Sequence, residues 1–244
     1  MIQQFVPIDL PGKMLYKKQF SASVRKITPI EQKFILSLSQ KQQKTNQDYI
    51  DFIKKLVTFD NPEMTFEELF WFDVQYMLYF IRFTTYEKHP IKLNFVCLDK
   101  ECNNTIQVNL NMGDLQIATP DDIEDLQSTI DLTHLGKTEI RNKIIQDDIS
   151  IDNLIKLKNI DPADTQMRLL LLDLCLISGD KTLLEMYELA EQGVVTAEDI
   201  IAIEDWFTKS IWGVKEEILV KCPKCGKESS RAYILALEEF FSAV

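Results

Sequence analysis

Glycine and proline are scarce in this chain, 7 and 8 residues out of 244, and with 27% charged residues that scarcity argues against a turn-rich β-sandwich and for helices. No apolar run approaches the roughly 20 residues needed to cross a bilayer. One of the longest, Leu169-Leu170-Leu171-Leu172-Asp173-Leu174-Cys175-Leu176-Ile177, carries an acid, so no membrane segment is expected. The start, Met1 to Pro7, lacks the basic region and unbroken apolar stretch of a secretory signal, so the five cysteines are expected in a reducing cytosol, without disulfides. Histidine is nearly missing. His89 and His134 have no motif partner nearby, and no Cys-His or Ser-His-Asp arrangement can be assembled.

Long basic stretches are missing as well. A net charge of −11 and a pI near 4.8 oppose binding to nucleic acid phosphates and anionic lipid. The clusters Lys13 to Lys18 and Lys221 to Lys227 are short and read as solvated edges. Leu135-Gly136-Lys137-Thr138 has the tail of a phosphate loop, but Asp131 stands where its first glycine belongs and no strand is expected before it. Asp121, Asp122, Glu124 and Asp125 read as an acidic first helical turn rather than a cation site. The partners expected are proteins, with no nucleic acid, membrane or small-molecule substrate.

What is plentiful is hydrophobic material, 45% of residues with 10% aromatics, ample for a core. Thr28-Pro29-Ile30-Glu31 has the signature of a capped helix start, with Ile30, Phe34, Ile35 and Leu38 as its buried stripe and the polar run Gln40 to Thr45 as its end. Gln47 to Val57 repeats the pattern, and Thr65-Phe66-Glu67-Glu68 opens an aromatic-rich helix to Thr85. Further helix starts are expected at Thr119-Pro120, Asp161-Pro162 and Thr196-Ala197, with stops at Gly179 and Gly193. After Pro90 the texture alternates: Ile91, Leu93 and Phe95 precede Cys97, and Ile106, Val108 and Leu110 follow Cys102. The same arrangement surrounds Cys222-Pro223-Lys224-Cys225-Gly226, giving two cysteine-tipped β-hairpins.

Two thiolate pairs on tight turns meet the needs of tetrahedral zinc, and Cys97, Cys102, Cys222 and Cys225 are the expected ligands of one structural Zn2+. A metal-free packed cluster and a redox dithiol at Cys222 and Cys225 are the alternatives. Four cysteines leave no coordination position open for substrate, so catalytic zinc is disfavoured. Cys175 reads as an ordinary buried thiol. The expected fold is α+β and mainly helical, with a split four-cysteine zinc-ribbon-like β element interrupted by a helical insertion. Its parts are an extended arm over 1–27, a helical region over 28–88, the split β module over 89–112 and 214–244, and the insertion over 113–213.

Several blocks carry a resemblance: Arg25 to Glu31, the helix with Asp73-Val74-Gln75-Tyr76 and Ile81-Arg82, the cysteine at 97, and the close from Trp212-Gly213-Val214 through the second cysteine pair to Phe240-Phe241. Together they resemble the T-even-type bacteriophage baseplate hub and hub-assembly family. The resemblance implies a non-enzymatic component of a contractile tail baseplate, or a factor that helps its hub assemble. It also implies other baseplate and tail proteins as partners, and a location in the host cytoplasm during assembly and then in the virion. Two other classes are open: a zinc-ribbon regulator binding nucleic acid, which requires a basic face, and an enzyme, which requires a deep pocket with convergent polar groups.

Overall fold

A computed structural model of the chain describes residues 4–38, 46–123, 126, 128–177, 181–233 and 241. It is a mixed α/β structure in which seven α-helices among the described residues accompany small sheets of two or three strands. The expected stops at 40–45 and Gly179, the acids Glu124 and Asp125, and Phe240 lie outside the described residues.

The N-terminal segment does not hang free. β1 (Val6–Ile8) pairs antiparallel with β2 (Ala22–Val24), which pairs with β3 (Val57–Phe59). Ile8, Leu10, Phe20, Ala22 and Val24 are buried against the helices that follow. α1 (Pro29–Leu38) starts on the Thr28–Glu31 box, whose carboxylate also binds the Arg25 guanidinium at 2.6 Å. Its expected stripe is only partly buried: Ile35 is enclosed, Phe34 is half-exposed and stacks on Phe52, and Ile30 faces solvent. α2 (Asn46–Lys54) is shorter than expected, because Val57 has joined β3. The Thr65–Glu68 box closes one 3-10 turn, and the central helix α3 (Trp71–Thr85) begins only after it, burying Val74, Met77 and Ile81 completely.

β4 (Ile91–Val96) and β5 (Thr105–Leu110) form the first expected hairpin in register Ile91 to Leu110, with Ile91, Leu93 and Phe95 facing inward. β10 (Glu217–Lys221) and β11 (Glu228–Ala232) form the second, and β10 packs against β5. Between the hairpins, β6 (Gln116–Ala118) pairs with β9 (Gly213–Lys215), so the chain leaves and returns at one place. That proximity removes most of the loop-closure cost of the intervening stretch.

The stretch itself is not purely helical. β7 (Thr129–Leu132) and β8 (Gly136–Glu139) make a hairpin around residues 133–135, and Thr119-Pro120 opens one 3-10 turn instead of a helix. Then come α4 (Ile145–Lys158), α5 (Thr165–Leu176), α6 (Leu183–Glu191) and α7 (Ala197–Lys209). Asp164 caps α5 through the Met167 N–H, Thr182 and Thr196 cap α6 and α7, and Gly193 ends α6 with φ of +74°. Leu171, Leu174, Cys175, Met186 and Ile203 form a second core, separate from the one built by β1 to β5, α1 to α3 and β10.

The two cores meet along α4, whose Ile145 and Ile149 pack into the first core while Ile151, Leu154 and Ile155 belong to the second. A backbone bridge joins Phe70 to Ile144, and the Lys143 ammonium lies 4.7 Å from the centre of the Trp71 ring. Phe72 stacks on Phe207, and Trp212 packs against Phe70 and Phe72 with centroids 5.2 and 5.0 Å away. Gly213 is needed beside it: its φ is +87°, and a Cβ there would come 3.1 Å from Phe72 Cβ.

Candidate metal centre

The hairpins β4–β5 and β10–β11 carry their cysteines at facing tips. All four sulfurs, from Cys97, Cys102, Cys222 and Cys225, lie within 4.8 Å of one another. The closest approaches cross between the hairpins: Cys97 Sγ to Cys225 Sγ is 3.6 Å, and Cys102 Sγ to Cys222 Sγ is 3.7 Å. A tetrahedron with metal–sulfur bonds of about 2.3 Å has edges of about 3.8 Å, which the two crossing pairs match and the full set, spanning up to 4.8 Å, approaches. These four residues can hold a metal ion.

The two tips are built alike. The Cys97 N–H donates to the Asn104 carbonyl at 2.8 Å and the Cys222 N–H to the Lys227 carbonyl at 2.9 Å, each holding the first cysteine at a strand end. Directly after the second cysteine the backbone turns left-handed, at Asn103 (φ 40°) in one tip and Gly226 (φ 75°) in the other. The wider first pair thus reaches the same turn with two more intervening residues. Asn104 Nδ2 donates to the Cys222 sulfur at 3.8 Å, and Lys224 Nζ donates to the Cys102 carbonyl at 3.3 Å across the gap.

The thiols are not equivalent. The N–H groups of Cys225 and Lys224 point at Cys222 and pull its thiol down to about 6 against burial. Burial, and then the neighbouring Cys222 sulfur, push Cys102 up to about 12. A second thiolate this close to the first needs a cation, which is the behaviour of a ligand set. Cys97 and Cys222 are buried members of the first core, together with Phe95, Ile106 and Val220, whereas Cys225 is exposed.

A second tie holds the same core at the other end of β10. Tyr79, on α3, donates its hydroxyl to Glu216 at 3.0 Å, and the Tyr233 N–H donates to the Glu216 carbonyl. Phe241 is fully buried beside Phe52, and its carbonyl accepts from Gln32 Nε2 and Tyr86 Oη, so this aromatic fills the protein's own core. On α3 the enclosed Asp73 accepts from the Gly12 N–H at 2.8 Å and the Tyr16 hydroxyl at 2.7 Å, which pins the N-terminal segment. Burial raises its carboxyl to about 6, against those two donors and the adjacent Trp212 indole. Sequence reasoning missed this knot, because nothing in residues 12, 16 and 73 marks them as neighbours.

Other sequence candidates are dispersed. His89 and His134 are exposed, Cys175 is buried in the second core, and Gly136 turns the β7–β8 hairpin. A cleft of about 660 Å³ runs past Tyr16, Phe70 and Ile144, but its Lys18 is paired with Glu68 and its Arg141 with Asp147.

Fold and site together define a mixed α/β protein whose distant hairpins converge on a four-cysteine cluster able to hold a metal ion. A family model described as T4 bacteriophage base plate protein matches residues 13–242, and the chain belongs to that family of T4-type phage baseplate proteins. Comparison with curated proteins and with solved structures gives no match. The family is one of structural phage tail components, the setting in which the cysteine cluster is to be understood.

Proposed function

We propose that this chain is a non-enzymatic component or assembly factor of the hub region of a contractile tail baseplate, acting through contacts with other tail proteins. It would be made in the host cytoplasm, with one structural Zn2+ held by Cys97, Cys102, Cys222 and Cys225. The observation that carries the tail role is the family match across residues 13–242. Zinc is the metal of choice because a cluster of four thiolates suits it, and they fill its coordination shell, so the ion ties the hairpins and performs no turnover. On this reading the chain is a split β module, 89–112 with 214–244, interrupted by a folded insertion over 113–213. The pairing of β6 with β9 at the base of the insertion supports that division.

Mass spectrometry of purified virions tests the role. A resident subunit appears at constant stoichiometry with the other baseplate proteins, whereas an assembly factor appears in infected cells and in hub intermediates but not in finished particles. Absence from both would overturn the proposal.

A further inference from the structure

The net negative charge of the chain is confined to one stretch. Residues 113–213 carry 8 Lys and Arg against 21 Asp and Glu, a net of −13, whereas the remaining residues carry 19 against 17, a net of +2. Many carboxylates in the acidic stretch have partners of their own. Asp147 binds Arg141, Asp148 binds Lys143 and Asp152 binds Arg168, each at 2.8 Å. Asp205 binds Lys209, and Glu185 and Asp199 close helix caps.

Asp173 differs. It sits on α5 with 7% of its surface exposed, and its carboxylate makes no hydrogen bond or ion pair among the described residues. The charge that acts on it is of its own sign, the Glu204 carboxylate on α7, a helix packed against α5. Burial first, and Glu204 second, push the Asp173 carboxyl up to about 7. A carboxylate so placed is stabilised most by a cation that the chain does not supply.

The surroundings say which kind of cation. Leu169, one turn before Asp173 on the same face of α5, is 48% exposed, and Ile201, one turn before Glu204 and Asp205 on the outer face of α7, is 64% exposed. Glu198 shares that outer face. Acids beside exposed aliphatic side chains match a charged head on an apolar stem, which a small inorganic ion lacks. We propose that the α5–α7 face centred on Asp173 and Glu204 docks a basic amphipathic segment of another tail protein. An Arg or Lys of that segment enters between the two carboxylates, and its apolar neighbours cover Leu169 and Ile201. This inference rests on the tail-component reading and names the chemistry of one of its contacts.

The test uses the full chain and a labelled synthetic helical peptide with Arg and Leu at i, i+4 spacing, followed by fluorescence anisotropy at about 0.15 M salt. Asp173→Asn with Glu204→Gln should weaken binding about tenfold or more. Asp131→Asn with Glu139→Gln, an equal loss of charge on the β7–β8 hairpin, should weaken it less than about twofold. The first double variant should melt at or above the parent temperature, because it removes a repulsion. Equal losses in both variants, no saturable binding of the Arg peptide, or a lower melting temperature for the Asp173 variant would each overturn the proposal. Virion composition is read separately. Site-specific peptide binding by a chain missing from particles and hub intermediates removes the tail role and leaves the surface; a resident chain without such binding removes the surface alone.

Discussion

The two hydrophobic cores are closed by different means. The first gathers strands and helices from both ends of the chain, and it is tied by contacts distant in sequence: the cysteine cluster, the Asp73 knot, the Tyr79–Glu216 bond and the seat of Phe241. The second runs from Leu132 to Phe207 almost without interruption, and its helices are closed by their own caps. Segments that meet only after long excursions need cross-ties because each contact must overcome its own loop-closure cost, whereas consecutive capped helices need only their neighbours. The cores differ in charge as well, since the stretch carrying the second holds all of the chain's net negative charge. A metal that organises one core should therefore leave the other largely untouched.

The strongest way to break this contrast is to remove a sulfur. Cys222→Ser should destabilise the first core by roughly 5 kcal/mol or more, with hydrogen-exchange protection lost in β4, β5, β10 and β11 and retained in α5 to α7. Loss of protection in both sets would show that the cores form one cooperative unit. Trp212→Ala tests the seam between them. Removing this enclosed indole, which packs on Phe70 and Phe72, should cost about 3–5 kcal/mol. Because Phe72 also stacks on Phe207, protection in α7 should fall too, whereas an effect limited to the first core would place the seam elsewhere.

Thr196→Ala is the reciprocal probe. Loss of this cap should lower the stability of the second core by about 1 kcal/mol while bound metal per chain stays constant. The smallest effect is in pH. Asp73 in the first core and Asp173 beside the second both have folded-state values raised, to about 6 and about 7, above an unfolded value of 3.8. Each favours the folded state fully below the unfolded value, and that stabilisation is lost as pH rises through the folded one. Local protection in the first core should therefore weaken from about pH 4 to 6, and that in the second up to about pH 7. Asp73→Asn should flatten only the first profile and Asp173→Asn only the second.

Much of the first core was legible in the sequence. Alternation around Cys97, Cys102, Cys222 and Cys225 marked both hairpins in their observed places, the Thr28 and Thr196 starts marked α1 and α7, and the Asp161-Pro162 start fell a turn ahead of α5. The three-residue strands β1, β2 and β3 are too short to show a period, and β7–β8 alternates weakly, with only Leu132 among its residues buried. Ile144 has no capping side chain, so the start of α4 rests on Asp147 reaching back to the Ile144 N–H, a signal weaker than Ser or Thr. Asp73 and Asp173 were not legible as special at all. A buried carboxylate is distinguished by what other elements bring to it, and both sit on helices where an acid is unremarkable.

The claim that a metal closes the first core is tested most directly by the zinc content of the purified chain before and after chelation, with hydrogen exchange read region by region on both samples. About one equivalent of zinc per chain is expected. Its removal should abolish protection in the two cysteine hairpins and spare α5 to α7. Less than a few tenths of an equivalent, with the hairpins still protected after chelation, would contradict it.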